Sequence, residues 1–205
     1  MAPINSFLLK QSHFIWLLSI VNISLGLFIP GFDVLSKSIS HVAQEASIFA
    51  FIHRSADILI GMSMCGFSWL IFRLANNKLS LAALSTFLLG LSMISAGIWT
   101  LETPLHLLYN LSIFMILVPI SFALEFKNKI DSAVFEYLCA GLSLLHVLMF
   151  WLIYAGFIPA EFNGLIQRLW AIPTMGWFGL AIVELAKTDL IVDEIVVTEE
   201  TCQEY

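Results

Sequence analysis

Polar positions are sparse along this chain, and between them six apolar runs stand out, at about residues 13–29, 56–72, 79–99, 105–124, 137–158 and 165–186. Each is close to the roughly 20 residues an α-helix needs to cross a hydrocarbon core about 30 Å thick. The alternation of a membrane β-strand is missing, and backbone groups within lipid must bond inside their own segment, so the runs predict helices. The expected fold is therefore all-α, an integral membrane bundle of six transmembrane helices. Its loops are short except the first outer one, from Pro30 to about Ser55, where residues 38–51 are apolar enough for a short interfacial helix. Lys10 precedes the first run, but that run is long and no small-x-small cleavage site follows, so it reads as a retained helix rather than a secretory signal.

Composition agrees, with 60% hydrophobic and 12% charged residues and a mean hydropathy of +0.92. A soluble domain, with roughly 25% charged residues, could not hide that much apolar surface. If the helices alternate in direction, Lys10, Arg73, Lys78, Lys127, Lys129 and Lys187 fall on one side and Lys37, Arg54 and Arg168 on the other. That bias places both termini in the cytoplasm, in a multi-pass protein of the cell membrane, a bacterial inner membrane being the expected one. Residues 1–187 then form the transmembrane domain and 188–205 an acidic cytoplasmic tail.

The tail holds Asp189, Asp193, Glu194, Glu199, Glu200 and Glu204 without a Lys or Arg, so it carries the whole net charge of −6. An acidic solvated end is the plainer reading; a docking segment for a membrane-protein partner is the sharper one. The lipid bilayer is the certain surrounding, and no nucleic-acid partner is expected. Cys65, Cys139 and Cys202 lie in two apolar segments and the tail, and read as free thiols.

The polar residues that could carry chemistry gather toward the outer side. Asp33, His41 and Glu45 lie in the first loop, and His53, Arg54 and Asp57 fall where the second helix is expected to begin. Glu102, His106 and Asn110 surround the start of the fourth helix, and Glu161, Asn163, Gln167 and Arg168 the start of the sixth. On the second helix His53, Asp57, Gly61, Cys65 and Ser68 recur at helical spacing, a stripe predicted to face other helices rather than lipid. Arg54 is within a turn of Asp57, so an Arg54–Asp57 pair, or Asp57 with Arg168, is the structural reading; a pocket at the mouth is the functional one.

Thr103 is placed to cap the fourth helix and Pro104 to open it, aiming a positive helix end at the same mouth. Together with His106, Arg54 and Arg168 this could hold an anionic head group, although Asp57, Glu102 and Glu161 crowd the region. His53, Asp57, His41 and His106 could be gathered by a metal, but HExxH and paired CxxC motifs are missing, and no metal or other cofactor is expected. His146, deep in the fifth span, is expected to bond to a serine or a carbonyl of another helix, with a proton relay as the alternative. Asn22 and Asn110 are expected to bond between helices, Pro119 and Pro173 to bend theirs, and Trp16, Trp99, Trp151, Trp170 and Trp177 to anchor or pack.

The stretches LFIPGFDVLSKSISHVAQEA at 27–46, RSADILIG at 54–61, WTLETPLHLLYNLSIF at 99–114 and GLIQRLW at 164–170 resemble the landmarks of the DUF-998 family. These are six-helix membrane proteins of unknown function grouped with the FRAG/DRAM/SFK membrane proteins, and the resemblance runs over roughly residues 10–187. It implies both termini inside and outer-face polar positions at Asp33, Ser40, Asp57, His106 and Arg168. It implies no reaction, and the acidic tail has no counterpart in it.

Three functions stay open. One is a pocket of His53, Arg54, Asp57, His106 and Arg168 that binds a lipid head group or other polar amphiphile. Another is an accessory or assembly subunit of a larger membrane complex. The least supported is a lipid hydrolase or transferase, with His106 or His53 as base, Asp57 as orienter or metal ligand and Ser40 as the one nameable nucleophile; catalytic residues are otherwise unknown.

Overall fold

The computed structural model describes residues 2–75, 79–101 and 103–188. Seven α-helices and connecting 3₁₀ segments build six spans: Ile4–Phe28, Ile48–Leu74, Leu81–Ile98, Pro104–Phe126, Ala133–Tyr154 and Ala160–Ala186. The first takes in most of α1 (Ala2–Gln11) and all of α2 (His13–Leu25). The second and third are α3 (Ile48–Leu74) and α4 (Leu81–Ile98). The fourth winds as a 3₁₀ helix over Pro104–Ile116 before α5 (Leu117–Phe126). The fifth is α6 (Ala133–Tyr154), and α7 (Asn163–Ala186) forms most of the sixth. All-α architecture and the number of spans are as the apolar runs predict.

Several expected boundaries shift. The first span begins at α1, well ahead of residue 13, because Ile4, Phe7, Leu8 and Leu9 prolong the apolar stretch and Asn5 is held by Arg73 Nε at 2.7 Å. The predicted interfacial helix at 38–51 is instead a 3₁₀ turn, Ile39–Gln44, followed by the first residues of α3. Starting α3 at Ile48 puts Asp57 about 13 Å along its axis, so His53, Arg54 and Asp57 are not at a helix opening. Thr103 precedes Pro104 but caps nothing: its hydroxyl donates to Thr100 O at 2.9 Å. Pro119 falls in the first turn of α5, where proline fits, and Ser143 Oγ on α6 accepts the N–H of Ile120 at 3.2 Å across that junction. Pro173 does lie inside α7.

The helices meet as a chain of neighbours, α2 with α3 and α7, α3 with α4, α4 with the 3₁₀ segment and α5, and α5 with α6. Apolar burial supplies little drive between helices in lipid, so close packing and polar contacts have to hold them. The α3–α4 seam shows the first. A methyl added at Gly61 would come 2.5 Å from Gly90 O, and one added at Gly97 would come 2.6 Å from Arg54 O. A cluster of Phe67, Phe122, Phe126, Phe135, Trp177 and Phe178 joins α3, α5, α6 and α7, with Phe122 meeting Trp177 edge-on at 5.4 Å. By contrast α6 turns Leu144 (69% exposed) and much of its length outward, as a helix facing lipid does.

Side chains close the helix ends. Ser80 Oγ accepts from Ala83 N–H at 3.0 Å, while Glu125 of α5 accepts from Ser80 Oγ at 2.5 Å and Ala82 N–H at 3.0 Å. Lys129 Nζ donates to Leu74 O at 2.6 Å, and Arg54 donates to Gly97 O and Ile98 O, both at 2.9 Å. Carboxylate at an N-terminus and cations at C-termini is the pattern the helix dipole favours. Lys78, Glu102 and the tail Asp189–Tyr205, with Cys202 and any partner contact expected of that tail, lie outside the described residues. Cys65 and Cys139 are free thiols.

The seam makes a prediction. Gly61→Ala should destabilise the bundle by about 1–3 kcal/mol, because backbone must move to admit the methyl. Gly141→Ala on α6, where an added methyl meets nothing within 4 Å, should be neutral or slightly stabilising. Denaturant unfolding in detergent micelles reads both, and equal losses would discard the close-approach account.

Candidate functional site

The second-helix stripe faces inward as predicted: His53 is 2% exposed and Asp57 5%, and Ser68 Oγ donates to Ala83 O on α4 at 2.7 Å. Asp57 is answered by a residue of the first span. Asn22 Nδ2 on α2 donates to Asp57 Oδ1 at 2.6 Å and reaches His53 O at 3.5 Å. His53 Nε2 stands 3.3 Å from Asp57 Oδ2, one helical turn away on α3. Asn22 thus makes the interhelical bond expected of it. Its amide orientation follows from chemistry, since the flipped amide would set an oxygen against a carboxylate.

Neither arginine pairs with Asp57, contrary to expectation. Arg54 reaches instead to the end of α4, whose last carbonyls lack helical partners and attract a guanidinium. Arg168, 8% exposed on α7, spends Nη1 on three carbonyls: Val34 O at 3.0 Å, Lys37 O at 2.8 Å and its own helix's Gly164 O at 2.9 Å. Phe32 covers its guanidinium at 5.9 Å. His106 also stays out, its Nδ1 bonded to Trp99 O at 2.8 Å and its ring stacked on Tyr109. Of the five residues predicted to form the site, His53 and Asp57 come together and Arg54, His106 and Arg168 do not join them.

Of the five, His53 and Asp57 line a cavity. This cavity of about 90 Å³, within some 690 Å³ of empty space that includes the part open to the exterior, lies between the first, second, third, fourth and sixth spans and is bordered by the 3₁₀ turn of the first loop. His53, Asp57, Asn22, Ser19, Ser40, Tyr109, Gln167, Trp170 and Thr174 supply its polar wall. Ile23, Ile39, Ile60, Met93, Ala96, Met115, Ala171 and Met175 supply the apolar remainder. Three buried polar atoms on that wall have no hydrogen-bond partner among the described residues: Asn22 Oδ1, His53 Nδ1 and Trp170 Nε1. Leaving such an atom unsatisfied costs about 1–3 kcal/mol.

The loop beside the cavity is tied down at several points. Asp33 folds it by accepting from Leu35 N–H at 3.0 Å and Ser36 Oγ at 2.5 Å; these bonds, the serine's first, hold its carboxyl below the usual aspartate range. Ser38 Oγ meets His41 Nδ1 at 2.6 Å, which engages that histidine locally. Leu165 N–H donates to Leu35 O at 2.9 Å and Ile39 N–H to Gln167 Oε1 at 2.6 Å. Gly164 lets the loop rest on α7, since a methyl there would sit 2.2 Å from Lys37 O. Arg168 is the centre of this fastening.

His146 bonds to Thr174 Oγ1 at 3.1 Å, a hydroxyl on another helix as expected, though a threonine. That hydroxyl gives its proton to Trp170 O at 2.7 Å, so His146 Nε2 is assigned the proton it donates. Among the described residues no three His, Cys, Asp or Glu side chains approach closely enough to hold a metal ion.

Fold and cavity together define a multi-pass helical membrane protein of six spans with a partly polar chamber beside its longest described loop. The chain belongs to the DUF998 family, proteins of unknown function, whose sequence model matches residues 14–184. Comparison with curated proteins and with solved structures yields no match.

Two outcomes follow from the roles assigned here. Arg168→Ala should speed amide hydrogen exchange across 34–39 by tenfold or more while α3 keeps its protection, because three carbonyls lose their common donor. Asn22→Leu should instead lower global stability by about 1–3 kcal/mol, stranding the Asp57 carboxylate. Unchanged exchange in the first variant would show that Arg168 does not hold the loop.

Proposed function

We propose that this protein binds a lipid or other polar amphiphile in the cavity, with the head group among Asn22, Ser40, His53, Asp57 and Gln167 and the apolar part along Ile60, Met93, Met115 and Met175. One observation carries the reading: a chamber among the membrane spans has a wall part polar and part apolar, and three of its polar residues, Asn22, His53 and Trp170, each keep a buried polar atom without a partner among the described residues. Such a wall matches a molecule with one polar end. On the Lys and Arg count the loop side is the extracytoplasmic one, which puts the polar end of the ligand toward the outer leaflet.

Native mass spectrometry of gently purified protein tests this. The wild type should carry a defined small-molecule adduct that Ala171→Trp, which fills the chamber, removes and Asp57→Asn weakens at least tenfold. An adduct that survives both substitutions, or none with the wild type, would refute binding at this site.

A hydrolytic activity is the second reading, favoured by the placing of Ser40, His53 and Asp57 on one cavity wall. A general base needs its orienter close, and Asp57 stands 3.3 Å from His53. No hydrogen bond joins Ser40 to His53 among those found, which is why binding ranks first. A fluorophosphonate reagent should label wild-type protein and spare Ser40→Ala if this reading holds; an unlabelled wild type removes it.

A further inference from the structure

We infer that the head group taken by the cavity carries no net negative charge and donates hydrogen bonds, as an amine or a polyol does, so that phosphates and carboxylates are disfavoured. The inference rests on the binding reading above and adds the chemistry of the ligand.

Charge comes first. The cavity wall includes one carboxylate, Asp57, and no Lys or Arg. The cations that sequence alone assembles here are committed elsewhere: Arg54 to the end of α4, Arg168 Nη1 to three carbonyls, and Lys37 to Glu45 at 3.4 Å and the Phe32 ring at 4.9 Å. Arg168 keeps Nε and Nη2 without partners among the described residues, but both are buried; a methyl added at Gly26 would come 3.0 Å from Nη2, and Arg168 does not line the cavity. An anion entering would find no Lys or Arg on that wall to pair with, and a buried charge without a partner is costly.

Hydrogen-bond capacity points the same way. Asn22 turns its N–H groups to Asp57 and to His53 O, so its free atom is the acceptor Oδ1. Assigning the His53 proton to Nε2, the nitrogen that faces the carboxylate, leaves Nδ1 an acceptor as well. With Asp57 these make a cluster of acceptors at one end of the chamber, and acceptors call for a donor. Trp170 Nε1 is the unpartnered donor. The hydroxyls of Ser40 and Tyr109 can serve either way, which is the mixture a polyol can use and an amine need not.

The test compares three probes of equal chain length, dodecylamine, 1-O-dodecylglycerol and dodecyl phosphate. Each is titrated onto the full chain in phosphatidylcholine nanodiscs, and site binding is taken as the part lost in both Ala171→Trp and Ala96→Leu, two cavity-filling variants checked for folding by thermal unfolding. The amine or the glycerol ether should bind at the site at least tenfold more tightly than the phosphate. Asp57→Asn should weaken the amine at least tenfold and narrow its advantage over the phosphate. Dodecyl phosphate binding as tightly as the other two, with the same loss on cavity filling, would overturn the head-group class and leave amphiphile binding standing. No site binding by any probe to a folded wild type would overturn the binding reading itself.

Discussion

The Asp57 carboxylate sits about two and a half turns inside a membrane span, and its neighbours are arranged to meet it. A carboxylate in a medium of low polarity is costly unless donors surround it, and bulk water cannot reach this one easily. Asn22 supplies a bond of 2.6 Å from the first span and His53 lies 3.3 Å away. That requirement sets how α2 and α3 lie against each other. It also keeps a polar patch inside the bundle, where an apolar core would otherwise fill.

Basic side chains of the bundle hold backbone in place. Arg54, Lys129 and Arg168 all donate to backbone carbonyls that regular helix or loop structure leaves without partners. In a membrane protein this is an efficient use of a cation, because an unbonded carbonyl near lipid is expensive and a guanidinium can serve several at once. The consequence for the cavity is electrical: its wall is left with a carboxylate and neutral hydrogen-bonding groups.

The cavity also inherits its depth from the loop. Residues of the 3₁₀ turn Ile39–Gln44 border it, and the bonds from Gln167, Leu165 and Arg168 hold that turn on α7. Loop and helix then act as one wall, so a ligand of the kind proposed would lie between a tethered loop segment and rigid spans. Met93, Met115 and Met175 on the apolar side are unbranched and adaptable, which suits a wall that accommodates a chain of no fixed shape.

Much of the architecture was legible in the chain itself. Apolar runs of spanning length dictated six helices, because in lipid no other backbone form satisfies its own hydrogen bonds, and the spacing of His53, Asp57, Gly61 and Ser68 dictated one inward face. Asn22 as an interhelical bonder and His146 as a bonded core histidine were readable for the same reason, that a polar group inside the membrane needs a partner. The site was only half legible. Charge signs along a sequence say that Arg54 or Arg168 could meet Asp57, but the carbonyls that outbid it belong to α4 and to a loop more than 100 residues away in sequence from Arg168. Gln167 stood out only as one polar residue at the start of the sixth span, Trp170 only as an anchor or packing residue, and Tyr109 not at all. Their shared wall exists only once five spans are packed, because a cavity is a property of what neighbouring helices fail to fill, and no residue carries that by itself.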